Sequence, residues 1–311
     1  LEELIGAPFA EVRFDLTYAG ALGAAVLAAD LARGRASGDL PSRSRRPAVS
    51  GGGEPERGTS GGPVEEVQAL VAEALARFAA KADGEKRVGT LCAYTPVELL
   101  DAAGVRSTRL FRAGDPATVA RGELYAQSVF CDFAKSCLGE VAGGPLERVL
   151  DKVYTFHTCA SMKRVGEVMG RFVPTELLNL PKLRDRAASR RLFREEIVAM
   201  RDDLEALTGR VVDEAWIAPQ IALHNRVRRL LRKISELRKR PHPPLSGGEY
   251  LELVRAYHHL PRTHLAEIYG RILEALAARP APDTQPPLRL MLSGSIMGEG
   301  DRRLLDLVEG K

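Results

Sequence analysis

An α/β fold built on a parallel sheet is predicted by three features of this sequence. Short apolar runs at residues 88–91, 105–111, 125–130 and 152–156 have the length and character of buried strands. They alternate with helical patterns through short links, as right-handed crossover units do. Three of the runs lead through a cysteine (Cys92, Cys131 or Cys159) into a helix-like segment. Together they predict a parallel-sheet α/β domain of the Rossmann/flavodoxin-like kind at 64–184. A long helical region is expected at 185–285, and the start of a second, truncated α/β domain at 286–311.

The elements follow in order. Residues 18–29 form a small-residue helix in which Gly20 and Gly23 imply close backbone packing. Residues 34–63 are rich in Arg, Ser, Pro and Gly, with no recurring apolar position, and read as a flexible linker. Val64, Val67, Val71, Leu75 and Phe78 then share one helical face, which Gly84 ends. After the strand at 88–91, Thr95, Pro96 and Glu98 give a helix start with a capping box, and Gly104 closes that helix. A strand is expected at 105–111. Two further strand-to-helix passages, through Cys131 and Cys159, are expected before 170. From 185 to 279 the pattern is helical and charged. The basic run at 226–240 is interleaved with Val227, Leu230, Leu231, Ile234 and Leu237, as on a solvated helix face. Residues 288–292 read as one more strand.

Composition narrows the function classes. Apolar residues make up 45% and charged residues 28% of 311, ample core material for about two domains. A net charge of +4 gives no field of the strength that nucleic-acid binding uses. No apolar run approaches the ~20 residues that span a bilayer, and no secretory signal pattern opens the chain. A cytoplasmic protein without nucleic-acid or membrane partners is expected. Beginning at Leu1 and stopping at Lys311 within a helical pattern, the sequence reads as a piece of a longer polypeptide.

Four cysteines in a chain this long do not form a secreted disulfide framework and point instead to metal ligands or reactive thiols. In open α/β sheets, ligands gather beyond the carboxyl ends of the strands, the edge these residues are expected to occupy. Thiolates hold zinc or iron–sulfur clusters. The cysteines lie 39, 6 and 22 positions apart, without a Cys-x-x-Cys pair, which argues against a zinc ribbon or a ferredoxin-type run. Spacing leaves open both a cluster held by separated cysteines and ordinary core packing for each thiol. Cys137 stands about one and two-thirds helical turns beyond Cys131, which favours packing. Glu98 lies one turn from Cys92, either as a proton-handling carboxylate or as the capping partner of Thr95. His157 reads as a loop histidine, with acid or ligand roles as the alternative.

Several motifs occur in a fixed order: GTLCAYTPVELLDAAG at 89–104, CDFAKSCLG at 131–139, DKVYTFHTCASMKR at 151–164, LNLP at 178–181, Asn225 with its basic helix, and LSGS at 292–295. In this series residues 85–311 resemble the 2-hydroxyacyl-CoA dehydratase D-component family, which includes benzoyl-CoA reductase subunits and double-cubane cluster reductases. The resemblance implies a [4Fe–4S] cluster with three cysteine ligands and one open iron site, set between two α/β domains. Cys92 and Cys131 match the first two ligands. The third is implied to come from the second domain, with Cys159 as the substitute within this chain and Cys137 as the next. It further implies an acyl-CoA substrate, whose phosphates Lys163 and Arg164 could meet, and a related or identical subunit as dimer partner. Residues 1–33 resemble the closing helix of the ATP-dependent activator proteins with an actin-like ATPase fold. A fusion of activator and dehydratase is therefore expected, with ATP used by the activator and not by this chain. The implied function is one-electron reduction of an acyl-CoA thioester, in a dehydratase (lyase) or an ATP-dependent reductase. Two alternatives accompany it: a double-cubane cluster reductase of small molecules, and a non-catalytic scaffold or electron-relay segment.

Overall fold

The computed structural model describes residues 63–112, 115–183, 186–292 and 296–310. The activator-like tail expected at 1–33 and the linker expected at 34–63, apart from Pro63, lie outside the described residues. The first helix, α1 (Pro63–Ala79), buries Val64, Val67, Val71 and Phe78 along the face that their spacing predicts.

Four strands form one all-parallel sheet, β1 (Arg87–Thr90), β2 (Arg106–Arg109), β3 (Lys152–Phe156) and β4 (Thr175–Leu178), in the order β2-β1-β3-β4. Val88 pairs with Ser107 on one side of β1 and with Lys152 on the other. Helices cover both faces, as a parallel sheet requires. Along β3 the side chains alternate. Val153 faces a cluster with Leu91, Leu110 and the helices α4 (Asp132–Val141) and α5 (Ala160–Met169). Tyr154 and Phe156 face the opposite cluster with α2 (Val97–Ala102), α6 (Ala187–Thr208) and the first half of α7 (Glu214–Leu237).

The second half of α7 carries Val227, Leu231 and Ile234 into another core, shared with α1, α8 (Gly247–Tyr257) and α9 (Arg262–Ala278). One 24-residue helix thus links the sheet to the helical layer. The last helix, α10 (Arg302–Val308), rests on α8, where Arg302 reaches Glu252 at 3.0 Å.

Three expectations are corrected. Residues 125–130 form turns, not a strand. They connect α3 (Pro116–Glu123), a helix the sequence pattern did not signal, to α4. The helix pair fixes this connection. A Cβ on Gly122 would collide with the Lys135 carbonyl, and one on Gly139 with that of Thr118, so only glycine permits the approach. The apolar run that mimicked a buried strand lies at the surface, with Val129 81% exposed. The fourth strand is β4, which ends at Leu178, the first residue of the LNLP motif. Residues 288–292 also form no strand. With no partner strand among the described residues to pair their backbone, Leu288 and Met291 stand exposed. Finally, α2 is capped by Pro96 without any side-chain hydrogen bond, so the Thr95–Glu98 capping box is absent. Glu98 is drawn into a buried ion pair instead.

Candidate functional site

In the order β2-β1-β3-β4 the chain proceeds from β1 outward to β2, then returns to place β3 on the other side of β1. The strand order therefore reverses between β1 and β3. A crevice beyond the carboxyl ends of the strands at such a reversal is where open α/β sheets bind ligands. Cys92 lies two residues past the end of β1, and Cys159 three past the end of β3. The sheet brings these two segments together: the Thr158 hydroxyl hydrogen-bonds the Cys92 sulfur.

Cys92 is half-buried and packs against the core of α2, α6 and α7. Burial pushes its thiol above the usual cysteine range. Hydrogen bonds from the Tyr94 amide, the Thr158 hydroxyl and the Ala93 amide oppose this, as does the charge of Arg109. Cys159 is exposed and caps α5, its sulfur accepting from the Met162 amide at 3.4 Å. Cys131 is exposed at the N-cap of α4, with no capping bond from its side chain. Cys137 is fully buried, and its thiol donates to the Leu110 carbonyl at 3.1 Å. Burial lifts the Cys137 thiol well above the ordinary cysteine value, with Glu140 reinforcing the effect. That thiol is fixed in the core.

The remaining candidates separate clearly. His157 donates its amide to the Leu178 carbonyl at 2.9 Å, which joins the end of β3 to the end of β4. Lys163 and Arg164 both pair with Glu167 on the same helix, at 4.0 and 2.5 Å. Glu98 is 3% exposed and meets Arg228 of α7 at 2.5 Å. Arg228 lies over the Tyr257 ring at 5.8 Å. Burial alone would depress the Arg228 guanidinium, yet the Glu98 carboxylate and Tyr257 hold it above its usual value. One turn away, Asp101 accepts from His224 at 2.8 Å, and His224 meets the Tyr257 hydroxyl at 3.0 Å. Burial pushes Tyr257 up to about 12, so it remains a neutral donor. This network locks α2, and with it the Cys92 loop, onto the helical layer.

Sequence reasoning missed Arg109, the last residue of β2. Its position opposite Thr90 in the register places it on the face of the sheet that Cys92 occupies, two residues beyond Thr90. A basic residue at a strand end gave no signal, because its partners, His258 and Phe111, are set by the fold.

The donor chemistry fits a thiolate-held iron–sulfur cluster in part. Soft ligands stand at the ends of β1 and β3, at the reversal point. Next to them the Thr95 hydroxyl is enclosed without a hydrogen-bond partner. Among the described residues, no group of three or more His, Cys, Asp and Glu side chains is gathered as a metal site. Also among the described residues, no helix is long and apolar enough to cross a membrane.

Comparison with known proteins shows the family to which the chain belongs. The family described as 2-hydroxyglutaryl-CoA dehydratase, D-component, matches residues 92–311. YjiM of Escherichia coli (strain K12), which carries the name of a dehydratase subunit, is 31% identical over 176 residues, covering 56% of this chain and 46% of that protein. The beta subunit of (R)-2-hydroxyglutaryl-CoA dehydratase from Acidaminococcus fermentans is 26% identical over 212 residues, 67% of this chain and 55% of that protein. A benzoyl-CoA reductase subunit from Thauera aromatica is 22% identical over 230 residues, 72% of this chain and 58% of that protein. The chain spans about half the length of these relatives. With most of its sequence covered by the family match, the chain belongs to the 2-hydroxyglutaryl-CoA dehydratase D-component family.

Proposed function

We propose that this chain is the iron–sulfur portion of an ATP-dependent enzyme of the 2-hydroxyacyl-CoA dehydratase or benzoyl-CoA reductase type, acting on an acyl-CoA thioester. The observation that carries this reading is Cys92 at the β1/β3 reversal point, in a chain of this family. The names of two relatives, a 2-hydroxyglutaryl-CoA dehydratase subunit and a benzoyl-CoA reductase subunit, supply the substrate class. A separate activator, or one fused upstream, would deliver the electron at the expense of ATP.

In this reading Cys92 and Cys131 hold a [4Fe–4S] cluster whose third ligand would come from a second domain, with Cys159 as the substitute within this chain. When bound, the cluster supplies low-potential one-electron chemistry and an open iron for the thioester oxygen. The protein's part is to place and insulate. The Thr158 hydroxyl and the Tyr94 and Ala93 amides hydrogen-bond the Cys92 sulfur and fix its direction. Leu99 and Leu100 belong to the apolar core against which Cys92 packs. Glu98, held by Arg228, anchors α2. Cys137 packs the core.

Anaerobic purification with iron and sulfide analysis tests the reading. The wild-type chain is expected to be brown, with iron and acid-labile sulfide in equal amounts. Cys92→Ser and Cys131→Ser are expected to lose the cluster, and Cys137→Ser to keep it. A colourless, iron-free wild type refutes the reading. Iron retained by Cys92→Ser refutes the ligand assignment.

A further inference from the structure

The contact between α2 and the helical layer closes on a histidine that has no access to water. His224 of α7 is 0% exposed. Its Nε2 meets the Asp101 carboxylate at 2.8 Å, and its Nδ1 meets the Tyr257 hydroxyl at 3.0 Å. The neighbours settle the roles. An ionised carboxylate can only accept, so the ring proton stands on Nε2, and Nδ1 accepts from Tyr257. Burial alone would raise Asp101, yet the His224 bond and the Arg262 charge hold it below the usual carboxylate value, which keeps it ionised. The two ring nitrogens thus tie α2 to the end of α8 through α7.

The charges around the ring balance only while it is neutral. From α2 come the carboxylates of Glu98 and Asp101. From α7 itself comes Arg228, paired with Glu98. From the start of α9 comes Arg262, its Nε 4.0 Å from Asp101 and its guanidinium over the Tyr257 ring at 4.7 Å. From α8 comes Tyr257, a neutral phenol, and beside it His258 turns its Nε2 to Arg109. Asp101 and Arg228 keep an edge at the surface, but the imidazole has none. A proton on Nδ1 would add an unmatched positive charge to this enclosed group. It would also meet the wrong partner. The Tyr257 oxygen already receives a hydrogen bond from Arg228, so two cationic donors would converge on one phenol whose own proton had lost its acceptor.

We propose that His224 is a proton-operated latch, which holds α2 to the helical layer while neutral and releases α2, with the Cys92 loop before it, when protonated. This device is separate from the function proposed above and needs no bound cluster. Its direction follows from the burial of the ring, the largest influence on His224, which lowers it below the usual histidine value, while the Asp101 bond opposes this only in part. A released ring takes up its proton at about pH 6.5. The latch is therefore at full strength above that pH and weakens as the pH falls toward the value of the held ring. Over that span, opening should grow by up to about tenfold per pH unit.

The test is amide hydrogen exchange of α2 in the full chain from about pH 7.5 to 5, corrected for the intrinsic pH dependence of exchange, together with ring-nitrogen NMR of the histidines. In the wild type, the His224 ring is expected to be neutral with its proton on Nε2 at neutral pH. Protection of α2 should then fall by up to about tenfold per unit below about pH 6.5. His224→Gln keeps a donor for Asp101 and an acceptor for Tyr257 but takes up no proton, so its α2 protection should stay level over the same range. A merely structural His224 would change α2 protection equally at every pH in that variant and leave the slope in place. Should His224→Gln fail to fold, the wild type alone decides. Protection of α2 that stays level while the His224 ring takes up its proton overturns the proposal. So does a ring already charged at neutral pH, or an undiminished slope in folded His224→Gln.

Discussion

Glu98→Gln is the sharpest perturbation of the site's support, because it removes one charge of a buried pair and little volume. Glu98 is 3% exposed, and its carboxylate meets Arg228 at 2.5 Å. After the change, Arg228 keeps the Tyr257 ring and the Asn225 side-chain oxygen at 3.4 Å, neither of them charged. Removing one member of a buried pair typically costs about 3–5 kcal/mol. The Arg228 side chain is 14% exposed, so partial hydration puts the expectation near ~3 kcal/mol. With a urea slope of about 1–3 kcal/mol per molar, the unfolding midpoint should fall by roughly 1–3 M. The double variant Glu98→Leu with Arg228→Met should recover much of this loss, since an apolar pair needs no counter-charge. Urea unfolding followed by circular dichroism measures both. A Glu98→Gln protein as stable as wild type but inactive toward acyl-CoA would refute the reasoning and return Glu98 to proton handling.

Two further outcomes are expected. Burial, with Arg109 adding to it, holds His258 well below the usual histidine value, and its Nε2 accepts from Arg109. The unfolded chain therefore takes up a proton at about pH 6.5 that the folded chain refuses. Stability should fall as pH drops below that value, by at most ~1.4 kcal/mol per unit from this group. His224, lowered by burial, acts in the same direction. His258→Gln should flatten the slope between pH 6.5 and 5 in urea titrations, and an unchanged slope rules out His258 as its source. In the second, Gly122→Ala drives a methyl group into the Lys135 backbone and should cost about 1–3 kcal/mol. Gly270→Ala, in the interior of α9 with open space around it, should gain ~0.5–1 kcal/mol. Thermal melts that rank these two variants the other way would show that the α3–α4 approach has room for a side chain after all.

Local and periodic features were legible in the amino-acid pattern. β1, β2, α2, β3 and α5 lie where apolar runs, turn residues and helix periods put them. The placement of Cys92 and Cys159 just beyond strand ends followed from the same pattern. The family was legible too, because its motifs are short and collinear. Where the pattern failed, it failed through ambiguity of short apolar runs. Residues 125–130 and 288–292 have the composition of strands, but among the described residues no strand lies beside them to complete their hydrogen bonds, and they form turns and coil.

Which charges meet depends on how the helices pack over the sheet. Glu98 had a local partner available in the Thr95 backbone amide, yet α7 brings Arg228 to it from 130 residues away, and a buried carboxylate is held more strongly by a cation than by a neutral N–H. The reversal of strand order between β1 and β3, which sets Thr158 against the Cys92 sulfur, is a property of topology that no window of sequence contains. So is the position of Arg109, which meets His258 because the end of α8 packs against β2.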